Sequence, residues 1–412
     1  MSIPLAECYS DLRMADFDFN PFDEATRRQP APIYARARRE HPVYRHPGLP
    51  IVSVFRYDDA QSILRDPETW SSNFPPPPGI DAEKMPPRSM LGQDPPDHTR
   101  LRSLVSQAFT PRIIRRLEPR MHEIANELMT AALERGEVDF VQAMTYPLPV
   151  TIIAEIIGVP AAERAQFKAW SDIAVAGLGS GLFAPPDMAR IEQLQTVLRD
   201  MGVYFTALAD ERRRAPREDL LTGLVQAEVE GSRLSHAEMI TMLVLLLVAG
   251  NETTTTLIGN AVLELLDHPA ALAQLRAHPA LLPTAIDEVL RYASPVQLDP
   301  RRALRRVELR GEVVEPGQIV VSWLGSCNRD EQIFAEPERF DITRDDNRHM
   351  AFGFGPHYCL GANLARLEAQ VAIGALLRHT RSFERTTSDP LPLHPSIVFR
   401  GVTSLPLRVE AA

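Results

Sequence analysis

Cys359 lies in the stretch Phe352-Gly353-Phe354-Gly355-Pro356-His357-Tyr358-Cys359-Leu360-Gly361, and a helical pattern begins directly behind it. Gly353 and Gly355 permit a backbone path that residues with a Cβ resist. A tight loop running into a helix N-terminus leaves backbone N–H groups free to point at the sulfur. Those donors, with the positive end of the helix dipole, favour the thiolate. A thiolate so placed is a ligand for iron. Cys8 and Cys327 have no such surroundings and read as structural or incidental.

A second group with chemical potential is Ala249-Gly250-Asn251-Glu252-Thr253-Thr254, set inside an apolar helical run. An acid beside an alcohol in such a helix is costly unless it has partners or work to do. Gly250 loosens the helix, and Thr253 can bond a carbonyl one turn back. A local opening there would leave room for a small molecule and water. Glu288 and Arg291 stand three apart on one helix face and can pair. His98 and Arg102, four apart behind Asp94-Pro95-Pro96-Asp97, also share a face.

These residues need elements to hold them, and helical spacing dominates the chain. Helices are expected over 119–134, 143–157, 163–175, 188–213, from Ser235 to about Leu266, over 269–277, 280–292 and 362–378. Ser235 and Glu238 have the spacing of a capping box. Strand signals are few. Ile51–Phe55 is one; Val307–Leu309 and Gln318–Val321 read as a hairpin turning through Glu315-Pro316-Gly317; Leu405–Leu407 is a last short strand. The fold class is therefore mainly α with a small β subdomain. No linker splits residues 1–412, so a single large domain is expected, with 1–20 a loosely ordered extension. The 36 prolines cluster in loops such as Pro75-Pro76-Pro77-Pro78.

The composition, 44% hydrophobic and 24% charged, is that of a globular protein, and three scattered cysteines suit a reducing cytoplasm. A net charge of −10 speaks against nucleic acid as a partner. The apolar run Ile240–Ala249 is far short of the ~20 residues a membrane anchor needs, and the N-terminus has no leader pattern.

The cysteine stretch matches every fixed position of the pattern Phe-Gly-x-Gly-x-His-x-Cys-x-Gly. Here the chain resembles the cytochrome P-450 family of haem-thiolate monooxygenases, in its soluble bacterial form. The resemblance runs from about Pro21 to Leu407, with further motifs in the family's order. It implies a fold enclosing haem b, iron protoporphyrin IX, with Cys359 as iron ligand and Phe352 and Gly353 lining the cofactor. Ala249–Thr253 resembles the oxygen-binding helix, so Thr253 would hydrogen-bond the oxygen being reduced and Glu252 would help deliver protons. His98, Arg102, His357 and Arg301 correspond to groups that bind haem propionates; Arg302 is the alternative to Arg301. Glu288 and Arg291 resemble a buried pair locked by a third basic residue from Pro337-Glu338-Arg339-Phe340, here Arg339.

No reductase domain is recognisable, so the resemblance implies electrons from a ferredoxin and its NAD(P)H-dependent reductase, docking near Cys359 where Arg102 and Arg366 lie. Family analogy places the substrate against Ile80–Leu91, Leu178–Phe183, Leu245, Val248, Ala249, Val296–Leu298 and Ile397–Phe399. These segments are mostly apolar, as a small hydrophobic substrate requires. A fatty acid, terpenoid, steroid or polyketide would fit. Two other functions compete: a peroxygenase driven by hydrogen peroxide, and a haem-based sensor or carrier without turnover. Neither has much use for the Glu252–Thr253 pair.

Overall fold

The computed structural model describes residues 17–75, 87–106, 111–176, 180–183, 187–229 and 232–412. A helix of 32 residues, His236–Asp267, forms the axis of the molecule. Its capping box is complete: the Ser235 hydroxyl accepts the Glu238 N–H at 3.2 Å, and the Glu238 carboxylate accepts the Ser235 N–H at 2.8 Å. By length and composition this helix could cross a membrane, but 61% of its most apolar window is buried within the protein. It packs against Pro147–Ile157, Arg164–Ala176, Met188–Arg214, Leu282–Tyr292 and Ala362–His379, the helix behind Cys359. A core helix wrapped by neighbours has to be apolar on most of its circumference.

The helical expectations hold to within a few residues, with two adjustments. The helix expected from 119 spans Pro111–Arg135 with Pro119 inside it, so the proline does not mark its start. The segment expected from 143 opens as one π-type turn, Val141–Thr145, before the α-helix Pro147–Ile157.

The small β region has a five-stranded sheet in the spatial order Val43–Arg45, Ile51–Val54, Ile319–Ser322, Asp299–Ala303, Trp70–Ser71. A three-stranded sheet joins Thr380–Arg385, Pro406–Ala411 and Glu137–Asp139. The expected hairpin between Val307–Leu309 and Gln318–Val321 does not form. Val307–Leu309 pairs instead with Glu312–Val314, Leu309 opposite Glu312. Arg310 (φ +48°) and Gly311 (φ +88°) make the two-residue turn, a left-handed pair suited to strand twist. Ile319–Ser322 is thereby freed to pair parallel with Ile51–Val54 and antiparallel with Asp299–Ala303.

The segment 1–20 is described only from Phe17. Phe17 and Phe19 are not loose: Phe19 is 2% exposed, edge-on to Phe55 and Trp323. Cys8 and Pro76–Pro78 lie outside the described residues.

Candidate active site

The cysteine loop is closed by its own backbone. Cys359 N–H donates to Phe352 O at 2.9 Å, Gly353 N–H to Met350 O at 2.9 Å and Tyr358 N–H to Gly355 O at 3.0 Å. Gly353 and Gly355 both take φ +71°, where a Cβ is disfavoured. At Gly355 a Cβ would also overlap the backbone oxygen of Leu64. Gly361 then caps the helix Ala362–His379. Burial pushes the Cys359 thiol up, while the Gly361 N–H and the charges of Arg102 and Arg366 pull it down. A metal ion in place of the proton would remove the burial penalty.

Beside the loop stands a basic edge. His98 is 2% exposed and its ring lies 4.2 Å from that of His357. Neither ring nitrogen of His98 has a hydrogen-bond partner among the described residues. Burial holds His98 below the usual histidine range, and Arg102 adds to this. His357 is pushed down to about 3, by burial first and then by Arg301, His98 and Arg102; its Nε2 lies 3.0 Å from Ser72 Oγ. Arg102 donates to Tyr358 O at 2.6 Å. Arg301, 5% exposed, pairs with Asp299 on the sheet strand. Arg302 points to the other face and donates to Asn73 O at 3.0 Å, as alternation along a strand demands. A cleft of about 630 Å³ opens here, lined by His98, Thr99, Arg102, Ser103 and Pro356 among others.

The central helix contributes the third side. The helix is unbroken through Gly250, so no local opening occurs. Instead the Thr253 hydroxyl donates to Ala249 O at 2.9 Å. A Cβ at Gly250 would meet Ile153 side-chain atoms at 3.4 Å, an ordinary contact, so the space does not demand glycine there. Ala249 is exposed although Leu246, Leu247, Asn251 and Thr254 around it are buried. The protein leaves the helix face at Ala249 uncovered. Glu252 has a partner that sequence reasoning missed: its Oε1 lies 3.1 Å from His394 Nε2.

The comparisons with known proteins agree with this geometry. A family model described as Cytochrome P-450 matches residues 189–407. The chain is 42% identical over 411 residues to cytochrome P-450 107B1 of Saccharopolyspora erythraea, across 96% of this chain and 98% of that one. It is 40% identical over 390 residues to the cytochrome P-450 monooxygenase PikC of Streptomyces venezuelae, across 92% and 91%. The chain belongs to the cytochrome P-450 family. Among solved structures, a cytochrome P-450 from Chondromyces apiculatus is similar with a TM-score of 0.87 and 38% identity, covering 96% of this chain and 99% of that one. Another, from Bacillus megaterium in complex with corticosterone, gives 0.83 and 36%, covering 93% and 99%.

Cytochrome P-450 monooxygenases are oxidoreductases that carry haem, and the residues present fit that group. A buried histidine with two orphaned nitrogens is costly without a partner, and haem carboxylates are suitable acceptors. The thiol and the uncovered helix face supply the remaining donor and space.

The structure corrects the lock on the buried ion pair. Arg291 donates to both Glu288 oxygens at 2.8 Å, and both side chains are fully buried. The third basic group is Arg344, 3.2 Å from Glu288 Oε2. Arg339 offers only its carbonyl, to Arg291 at 3.1 Å; its side chain is 60% exposed and pairs with Glu336. Arg366 is likewise not a free docking charge. It is bound to Asp287 at 2.7 Å and lies over the Phe352 ring at 4.6 Å. Of the expected substrate segments, residues 80–86 and 178–179 lie outside the described residues. Leu182 and Phe183 pack with Leu298 and Ile397 around Trp323.

Proposed function

We propose that Cys359 is the thiolate ligand of haem b, and that the protein hydroxylates a small hydrophobic molecule: RH + O₂ + 2e⁻ + 2H⁺ → ROH + H₂O. Haem, when bound, supplies the oxidising chemistry; the chain supplies position and protons. Cys359 would hold the iron as a thiolate and supply electron density to it. His98, Arg102, Arg301 and His357 hold the propionates, Arg301 being preferred to Arg302 because it shares a face with the two histidines. Phe352, pinned by Arg366, and Gly353 shape the loop against the cofactor. Thr253 presents its hydroxyl at the uncovered face, and Glu252 feeds protons toward it.

The observation that carries this reading is the pair Glu252–Thr253 beside the exposed Ala249. A sensor or a peroxide-driven enzyme has little use for a partnered acid there. The electrons come from a ferredoxin and its NAD(P)H-dependent reductase in the cytoplasm. The substrate is a fatty acid, terpenoid, steroid or polyketide; the corticosterone bound by a similar protein and the apolar Leu298, Ile397 and Phe399 support this class.

The test is a ligand screen by the low- to high-spin shift of the haem band, followed by turnover with a surrogate ferredoxin system. Thr253→Ala should raise the share of electrons lost as hydrogen peroxide several-fold. Unchanged coupling in that variant, or equal turnover of the wild type with peroxide alone, would overturn the reading.

A further inference from the structure

His394 sits on the loop Leu393–Val402, close to the central helix but far from Glu252 in sequence. Its ring is 5% exposed and edge-on to Phe399, with centroids 4.9 Å apart. The backbone N–H of Ser396 points at Nδ1 at 3.1 Å. A backbone N–H can only donate, so Nδ1 holds a lone pair and the proton of the neutral ring is on Nε2. That N–H faces the Glu252 carboxylate at 3.1 Å. The other tautomer would set N–H against N–H at Ser396 and lone pair against lone pair at Glu252.

The loop itself is fastened to the helix and to the segment before the sheet. His394 N–H donates to Gly401 O at 2.9 Å and Gln297 N–H to Val398 O at 2.7 Å. The Asn260 amide of the central helix donates to Arg400 O at 2.8 Å. At Gly401 a Cβ would come within 2.6 Å of Thr256 Cγ2, one helical turn beyond Glu252 on the same face. Ile397 and Phe399, expected against the substrate, lie between these fastenings.

We propose that His394 is a positioning residue for the monooxygenase reaction: its Nε2–H holds the Glu252 carboxylate and ties the proton-delivering acid to the loop that carries Ile397 and Phe399. This rests on Glu252 being the proton-delivering acid. A substrate that shifts the loop then shifts the acid as well, so its fit against Ile397 and Phe399 and proton delivery are linked through one side chain.

Two measurements test this. In ¹⁵N-histidine-labelled ferrous carbon monoxide protein, the resonance missing from His394→Gln should show the Nε2–H tautomer; an Nδ1–H tautomer overturns the proposal. The second measurement is the partition of reduced oxygen between hydrogen peroxide and water, in substrate-free holoenzyme driven by a surrogate ferredoxin system. His394→Leu should raise the peroxide share several-fold. His394→Gln, whose amide can donate from the Nε2 position, should restore it, with equal haem content and melting temperature as the check on folding. If Glu252→Gln leaves the partition unchanged, the role of Glu252 itself fails. If Glu252→Gln raises peroxide but both His394 variants match wild type, only the role of His394 fails. If Gln behaves like Leu, a hydrogen-bond donor is not sufficient and the holding role is overturned.

Discussion

Arg344 and Arg339 separate two ways in which one basic residue can support a buried ion pair. Arg344 brings its guanidinium to Glu288 and is 12% exposed, whereas Arg339 brings only a carbonyl. Truncating Arg344 removes a charge-assisted hydrogen bond from a fully buried carboxylate, worth about 1–3 kcal/mol. Truncating Arg339 leaves its backbone contact intact and should change stability by less than about 0.5 kcal/mol. Chemical denaturation of Arg344→Ala and Arg339→Ala reads the difference directly; equal losses would contradict the assignment. Loss of Arg291 should be the most severe, at roughly 3–5 kcal/mol, because it strands Glu288 without its main partner.

At the level of elements, the cysteine loop depends on its fit against the helix Tyr57–Arg65. Gly355 combines φ +71° with close approach to the last turn of that helix. Gly355→Ala would cost about 1–2 kcal/mol for the left-handed backbone alone, before the overlap with Leu64 is relieved. The loop would have to move, and Cys359 with it. We expect weakened haem retention and a lower melting temperature, measured by haem transfer to an acceptor globin and by thermal unfolding. The same loop shows why the motif was legible: the backbone hydrogen bonds of Gly353, Tyr358 and Cys359 all close within the loop, so local sequence encodes them. The hairpin was not legible in this way, since Arg310-Gly311 and Glu315-Pro316-Gly317 are both competent turns. The choice between them was made by Ile319–Ser322, whose partners lie elsewhere in the chain.

For the whole molecule, the N-terminal segment, the first sheet and Phe183 meet around His46. This residue is 6% exposed and lies 2.8 Å from Ser53 Oγ, which also accepts the Trp323 indole N–H. Burial lowers its pKa to about 4 from the ordinary 6.5. The folded protein therefore refuses a proton that the unfolded chain accepts. Stability should fall as pH drops from about 6.5 toward about 4 and level off below, with about 2 kcal/mol lost at pH 5 from this residue. A His46→Gln variant should lack that part of the slope in denaturation measured from pH 7 to pH 5. A slope identical to wild type would show that His46 is not buried as a neutral ring.

The sequence by itself determined the cysteine loop, the acid–alcohol pair, the mainly helical class and the basic residues that gather beside that loop. Each is carried by a short motif or by helical periodicity, which are local properties of the chain. Tertiary structure alone decided what those groups touch: that Arg301 rather than Arg302 faces the two histidines, that Arg344 locks Glu288, that Arg366 is spent on Asp287 and Phe352, and that Glu252 lies against His394. Such contacts join residues far apart in sequence. They form because strand register and helix packing bring whole faces together, and no spacing rule along the chain records which faces will meet.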